Sequence, residues 1–116
     1  MVKIDVEGAE LHVIKGMTKL LFIHKPFLYF ECGSEPLFDQ LMPILTDLEY
    51  TCYWHPSRHF REGNFYNATN LTGEAGDLNI FAIHKEKREA HIHNLNQLKM
   101  VEQWSDLKKL FPDFIF

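Results

Sequence analysis

Acidic side chains follow directly on the first short apolar stretch of the sequence. Residues 2–6 carry β-branched side chains at every second position, which is typical of a strand, and Gly8 then predicts a tight turn. Asp5 and Glu7 fall at the end of this strand, just before a helix that the apolar spacing over residues 11–21 predicts. In open α/β sheets ligands bind outside the carboxyl ends of the strands, so this turn is the first place to expect chemistry.

A purely structural role for these acids is also open. Carboxylates commonly cap helices and offset the positive charge at the amino end of a helix, and Asp5, Glu7 and Glu10 all lie close enough to the predicted helix to do so. The acids alone therefore favour capping.

Four strands and three helices are predicted to position the polar residues. Pro26 favours extended geometry before the second strand, and Ser34 followed by Pro36 is a typical helix start. Helical crossovers join the first three strands, which we expect to be parallel, whereas the fourth strand is free to return antiparallel. The predicted elements are a strand over residues 1–6, a helix Ala9–Phe22, a strand Phe27–Cys32, a helix from Ser34, a strand Tyr50–Trp54, a loop His55–Asp77, a strand Leu78–His84 and a helix Glu86–Gln103.

Composition excludes several classes of protein. The chain has 116 residues, 46% of them hydrophobic, and a net charge of -4, so we expect one α/β domain with neither nucleic acid nor a membrane surface as a partner. No apolar stretch is long enough for a membrane span or a signal peptide, which favours a cytoplasmic protein with Cys32 and Cys52 reduced.

His91 and His93 lack the spacing of a metal site, so no metal site is predicted from them. The apolar residues 114–116 are expected to pack somewhere on the fold.

Several segments resemble FkbM-type methyltransferases, which use S-adenosylmethionine. The resemblance extends from residue 1 to about residue 85, and we expect residues 86–116 to form a helical carboxyl-terminal extension. The segments that carry it are KIDVEGAE (3–10), VIKG (13–16), KPFLYFE (25–31), YWH (53–55), NF (64–65) and NIFAI (79–83).

The resemblance implies an O-methyltransferase that acts on a hydroxyl of a sugar or another small metabolite. It assigns catalytic roles to Asp5 and His55, with His55 as the general base because the ordinary pKa of imidazole lies near neutrality. An ordinary residue at a strand end is the alternative role for His55. The residues expected on the substrate side are Glu7, Glu31, Asn64 and Asn79.

The resemblance also implies that part of the cofactor site is missing. Related methyltransferases hold S-adenosylmethionine on a glycine-rich turn after their first strand and on an acid after their second, and neither feature can be identified here. The chain therefore looks like the carboxyl-terminal half of such an enzyme. Its fold is predicted as a partial Rossmann-like sheet, mostly parallel with an antiparallel last strand, plus a carboxyl-terminal helix. Residues that bind the cofactor stay unidentified.

Two other functions are consistent with the same residues. Asp5, Glu7 and Glu31 offer oxygen ligands for a hard cation, which would make the transfer metal-assisted. Alternatively, the chain is a non-catalytic remnant or an interaction module. Its first strand would then pair through an exposed edge with another chain or with a second copy.

Overall fold

The computed structural model describes residues 1–73 and 75–114, which form one five-stranded sheet flanked by helices. The strands are β1 (Val2–Ile4), β2 (Leu28–Glu31), β3 (Tyr50–Arg58), β4 (Gly76–His84) and β5 (Lys99–Met100). The helices are α1 (Glu10–Gly16), α2 (Thr18–His24), α3 (Glu35–Asp47), α4 (Lys85–Arg88), α5 (Ile92–Leu95) and α6 (Leu107–Leu110), with 3₁₀ turns at Glu89–His91 and Trp104–Asp106.

The strand order is β1-β2-β4-β3-β5, and only β1 and β2 are parallel neighbours. The prediction of a mostly parallel sheet is therefore wrong, whereas the prediction that the fourth strand runs antiparallel is confirmed. The reason is that β4 enters the sheet between β2 and β3. These two strands still run in the same direction, because each pairs antiparallel with β4, but they are not neighbours.

The hairpin formed by β3 and β4 is longer than the sequence predicted. Its register runs over nine pairs, from Tyr50 opposite His84 to Arg58 opposite Gly76, so His55 lies within β3 and not in a loop after it. Pro56 does not end the strand, because β5 pairs only with Tyr53 and Trp54 and, among the described residues, no strand pairs with that side of β3 beyond this point. The connecting loop is accordingly confined to residues 59–75.

Two predicted helices are interrupted. The first divides at Met17, after Gly16, a residue with low helix propensity, and the N–H of Met17 is shared between the carbonyls of Val13 and Ile14. The predicted helix Glu86–Gln103 is wrong as one element, because it forms α4, a 3₁₀ turn, α5 and the strand β5. Histidine and asparagine are frequent in this segment and favour helices weakly, and pairing with β3 draws its end into the sheet.

Among the described residues, no helix is long and apolar enough to cross a membrane.

Side chains point alternately to the two faces of the sheet, and the two faces differ in the residues that they carry. One face carries the main core, where side chains such as Phe30, Trp54 and Ile80 pack against Ile14 of α1 and Leu41 of α3. The opposite face is divided along the strands. Near the amino end of β2 it packs against α5 in a second apolar cluster, and near the carboxyl end of β2 it carries polar side chains.

The described end of the chain packs on β4, and both cysteines are reduced. Phe114 lies over Gly76, where a Cβ atom would be 2.5 Å from its ring, while residues 115–116 of the predicted apolar end lie outside the described residues. Cys32 and Cys52 are free, as predicted, and both are buried.

Candidate functional site

A row of polar side chains crosses the sheet at the carboxyl end of β2. Glu31 of β2 pairs with Asn79 of β4, and Asn79 pairs with His55 of β3. Directly opposed residues in a sheet project from the same face, so the three side chains are neighbours. The structure thus brings together three residues that are distant in sequence and that were all predicted as site residues.

Asp5 joins this row because β1 lies beside β2 in parallel. It lines a cavity of about 160 Å³ on the polar face, together with Lys3, Glu31, Ser57, Asp77 and Asn79. Asn79 Nδ2 donates to Ser57 Oγ at 3.1 Å, and Lys3 Nζ lies 3.5 Å from an Asp5 carboxylate oxygen. We call this space the polar cavity.

Asp77 is a member of the polar cavity that the sequence did not single out. It was assigned to the end of the long loop, but it belongs to β4, two positions before Asn79, and therefore lies on the same face. Its carboxylate also lies 2.9 Å from Nε2 of His59. The alternation of polar residues at 77 and 79 was the available signal.

Glu7 lies in the turn between β1 and α1, which is unusual in its backbone. Glu7 and Gly8 both have positive φ, +48° and +101°, and the N–H of Ala9 donates to the carbonyl of Val6 at 3.3 Å. Two consecutive positive φ angles are typical of a type I′ turn, in which glycine and asparagine are favoured over glutamate. The side chain of Glu7 is exposed and lines a second cavity of about 260 Å³.

Glu10 stabilises this turn from the first position of α1. Its side chain is only 2% exposed, and its carboxylate accepts from the N–H of Gly8 at 3.0 Å. Helix α1 has no side-chain cap, so of the structural alternative only the charge part applies, with Glu10 as an acidic residue in the first turn. Glu10 also lines the second cavity, as do Glu31 and Ser34.

Glu31 connects the two cavities, because its side chain lines both. Partial burial raises the pKa of the Glu31 carboxyl above its ordinary value, and repulsion from Asp77, Glu10, Asp5 and Glu7 raises it further. This part of the sheet is therefore strongly acidic, and it favours groups that donate hydrogen bonds or carry positive charge.

His55 is paired with the hydroxyl group of Tyr29. The distance from Tyr29 Oη to His55 Nδ1 is 2.8 Å, and the two rings meet edge to face with their centroids 5.6 Å apart. Partial burial and then Asp77 raise the pKa of Tyr29, so its hydroxyl keeps its proton at neutral pH. When Nδ1–H of His55 donates to Tyr29, Nε2 carries the lone pair and is able to accept a proton. Tyr29 lies in the segment KPFLYFE (25–31), which carries the family resemblance, but it was not predicted as a site residue.

Asn64 is not brought into this arrangement. Its amide group lies in the loop between β3 and β4, where it accepts from the N–H of Ala68 at 3.0 Å and donates to the carbonyl of Arg61 at 3.2 Å. These contacts give Asn64 a role in shaping the loop.

The acids do not form a recognisable metal site. In the described part of the chain, no group of three or more histidine, cysteine, aspartate or glutamate side chains is arranged to hold a metal ion. The metal-assisted alternative built on Asp5, Glu7 and Glu31 gains no support from this geometry.

The comparison with protein families gave one match. The family model of the Methyltransferase FkbM domain matches residues 1–52, which include β1, the Glu7-Gly8 turn, β2 and α3. The resemblance expected from the sequence is thus confirmed for this part of the chain, and it indicates a methyltransferase. The comparisons with curated proteins and with solved structures gave no match.

Proposed function

We propose that this chain is the acceptor-binding, carboxyl-terminal half of an S-adenosylmethionine-dependent methyltransferase that acts on a hydroxyl of a sugar or another small metabolite. The observation that carries the proposal is the row Glu31, Asn79 and His55 beside Asp5. The row combines a candidate for the general base with hydrogen-bond acceptors at the carboxyl end of β2. The family match over residues 1–52 supplies the reaction class.

The described residues do not fit a complete site for the cofactor, which would supply the methyl group. The Glu7-Gly8 turn follows a strand and opens a helix, but it has a single glycine, and the N–H of Gly8 is already bonded to Glu10. A glycine-rich cradle with free N–H groups is therefore not present at this turn. We infer that the main contacts to the cofactor come from outside these residues.

The side chains on the polar face suit the acceptor. Hydroxyl groups of a polyol donate to carboxylates, and Asp5, Glu31 and Asp77 surround the polar cavity with such acceptors. Holding the acceptor oxygen in one place contributes to the rate through positioning. His55 does not line the polar cavity itself, but it is bonded to Tyr29, which does. In the proposed reaction the hydroxyl lies beside Tyr29 and its proton passes to Nε2 of His55, while Nδ1–H donates to Tyr29 and fixes the orientation of the ring.

A methyl-transfer assay on the natural-length gene product tests the proposal. Radiolabelled S-adenosylmethionine is supplied with a panel of free sugars and small alcohols. His55→Ala and Asp5→Asn should each lower turnover by roughly 10²-fold, as loss of a base or a positioning group does. The matched controls are His93→Ala and Asp39→Asn, which replace exposed residues of the same types outside both cavities and should leave turnover unchanged. Wild-type turnover in both site variants would return His55 and Asp5 to structural roles.

A second candidate function rests on β1, which is an edge strand. The N–H of Val2 donates to the carbonyl of Phe27 in the direction of β2, so the alternate residue Lys3 presents its N–H and C=O groups on the outer side. An edge of this kind is a template for another strand. As an alternative proposal, the chain is a non-catalytic module that pairs through this edge with a second copy of itself.

A further inference from the structure

A third cavity lies on the same face of the sheet as the polar cavity and differs from it in character. It encloses about 290 Å³, close to the lower end of the range of roughly 300–1,000 Å³ for small-molecule sites. Its walls are mostly carbon, and we call it the aromatic cavity. The residues that form its walls include Phe27, Tyr29, His55, Phe81, Leu95 and Leu98.

The aromatic cavity is built by the amino-terminal part of β2 and by the segment around α5. Phe81 pairs with Tyr29 across the sheet and meets the ring of Phe27 edge to face, with centroids 6.0 Å apart. Leu95 is buried and closes the cavity from the side of α5. The cavity is a gap in the smaller apolar cluster of the fold, and the exposed residues of its lining, His55, His91 and Asn94, form its mouth.

Tyr29 forms a wall of both the aromatic and the polar cavity. Its hydroxyl, bonded to His55 Nδ1 at 2.8 Å, marks the boundary between them. A ligand whose hydroxyl lies beside His55 thus has carboxylates on one side and aromatic rings on the other. A free sugar would satisfy the polar side alone and would leave the apolar walls in contact with water.

We propose that the acceptor is an amphipathic alcohol, in which a hydroxylated part occupies the polar cavity and a compact aromatic or alicyclic ring occupies the aromatic cavity. This inference rests on the proposed function for the identity of the reacting hydroxyl. The gain comes from apolar surface removed from water and from edge-to-face contacts with Phe27 and Phe81.

Binding to the chain itself, without cofactor, tests the inference. The probes are 4-nitrophenyl β-glucoside, which carries a ring, and methyl β-glucoside, which does not. We expect the aryl glycoside to bind about tenfold more tightly, a difference of ~1.4 kcal/mol. Nuclear Overhauser contacts should join its ring protons to the methyl groups of Leu95 and Leu98. Equal affinities, or no such contacts at millimolar probe, would overturn the inference.

A matched pair of variants locates the ring. Asn94→Trp places an indole in the mouth of the cavity and should abolish the tenfold preference. Asn96→Trp makes the same change two positions away, outside the cavity lining, and should preserve it. A preference that survives Asn94→Trp would place the ring elsewhere and overturn the inference, as would adenosine binding more tightly than the aryl glycoside.

The two proposals fail in different ways. If the chain binds the aryl glycoside as described but the natural-length protein transfers no methyl group, the proposed function is wrong and the aromatic cavity remains a ligand site. If methyl groups are transferred to free sugars and aryl glycosides equally well, the reaction stands and the inference about the acceptor is wrong.

Discussion

Replacing Glu7 with glycine tests whether the turn after β1 is held in an unfavourable backbone geometry. Glu7 has φ of +48°, in the left-handed region, which costs a residue with a Cβ atom about 1–2 kcal/mol. Glycine removes that cost but loses about 0.5–1 kcal/mol more backbone entropy on folding. Because the side chain of Glu7 is exposed, little packing is lost. The net expectation is that Glu7→Gly stabilises the fold by roughly 0.5–1 kcal/mol.

Urea titration and calorimetry measure this difference, which corresponds to a rise in Tm of about 2–5 °C for a domain of this size. Glu62→Gly is the matched control, since Glu62 is also exposed but does not have a positive φ. It should lose roughly 0.5–1 kcal/mol through the added freedom of the unfolded chain. If both variants are destabilised equally, the reasoning about the turn is wrong.

The same variant separates structure from function at this position. Strained residues cluster at functional sites because the side chain is useful there despite the cost. In the natural-length protein, Glu7→Gly should therefore weaken acceptor binding while raising Tm. An unchanged affinity together with a higher Tm would show that Glu7 has no part in the site.

Three further predictions concern the cofactor, the acidic edge and the free strand. Calorimetric titration of this chain with S-adenosylmethionine should give no binding, and a micromolar Kd would contradict the assignment of the main cofactor contacts to other residues. Glu31→Gln should raise stability at pH 7, by a few tenths of a kcal/mol after solvent screening, and less at pH 4. Burial and neighbouring acids raise the folded-state pKa of Glu31, so the protonated carboxyl contributes to stability at low pH and this contribution is lost as the pH rises through that pKa. The uncharged glutamine avoids that loss, and equal gains at both pH values would refute this. Sedimentation at micromolar concentration should show self-association that Lys3→Pro weakens, since proline removes an outward N–H without breaking a bond to β2, and a monomer in both cases would reject pairing through β1.

The structure also changes the choice of variant for the edge experiment. Ile4→Lys is the obvious way to place a charge in the first strand, but the side chain of Ile4 is 4% exposed and packs in the main core. A lysine there would unfold the domain and give no information about pairing. Lys3 is exposed, and its backbone N–H faces outward, so the substitution acts on the edge itself.

Local sequence signals predicted the parts of the fold that depend on neighbouring residues. Ser34 caps α3, with its Oγ accepting from the N–H of Leu37 at 3.4 Å, and Pro36 occupies the first turn, as expected from their types. The order in which strands enter a sheet depends instead on contacts between distant segments. The insertion of β4 between β2 and β3 therefore left no local signal.

Local sequence signals also predicted part of the candidate site. Asp5, Glu31 and His55 follow or end apolar runs, which a motif can record. Tyr29 belongs to the site because of its neighbours across the sheet, so the strand register was needed to find it, whereas Asp77 had a weak local signal in its alternation with Asn79. Asn64 shows the opposite case, in which a motif residue bonds within its own loop.

The antiparallel entry of β4 determines the charge of the site. Had the sheet been parallel throughout, only carboxyl ends of strands would meet at this edge, and the amino end of β4 with Asp77 and Asn79 would be absent. Its presence adds a carboxylate to those of Asp5 and Glu31, while the nearby Lys3 is paired with Asp5 at 3.5 Å. A phosphorylated acceptor would meet like charges there and be repelled, whereas a neutral polyol can donate its hydroxyl protons to the same oxygens. The direction and register of β4 thus disfavour an anionic acceptor.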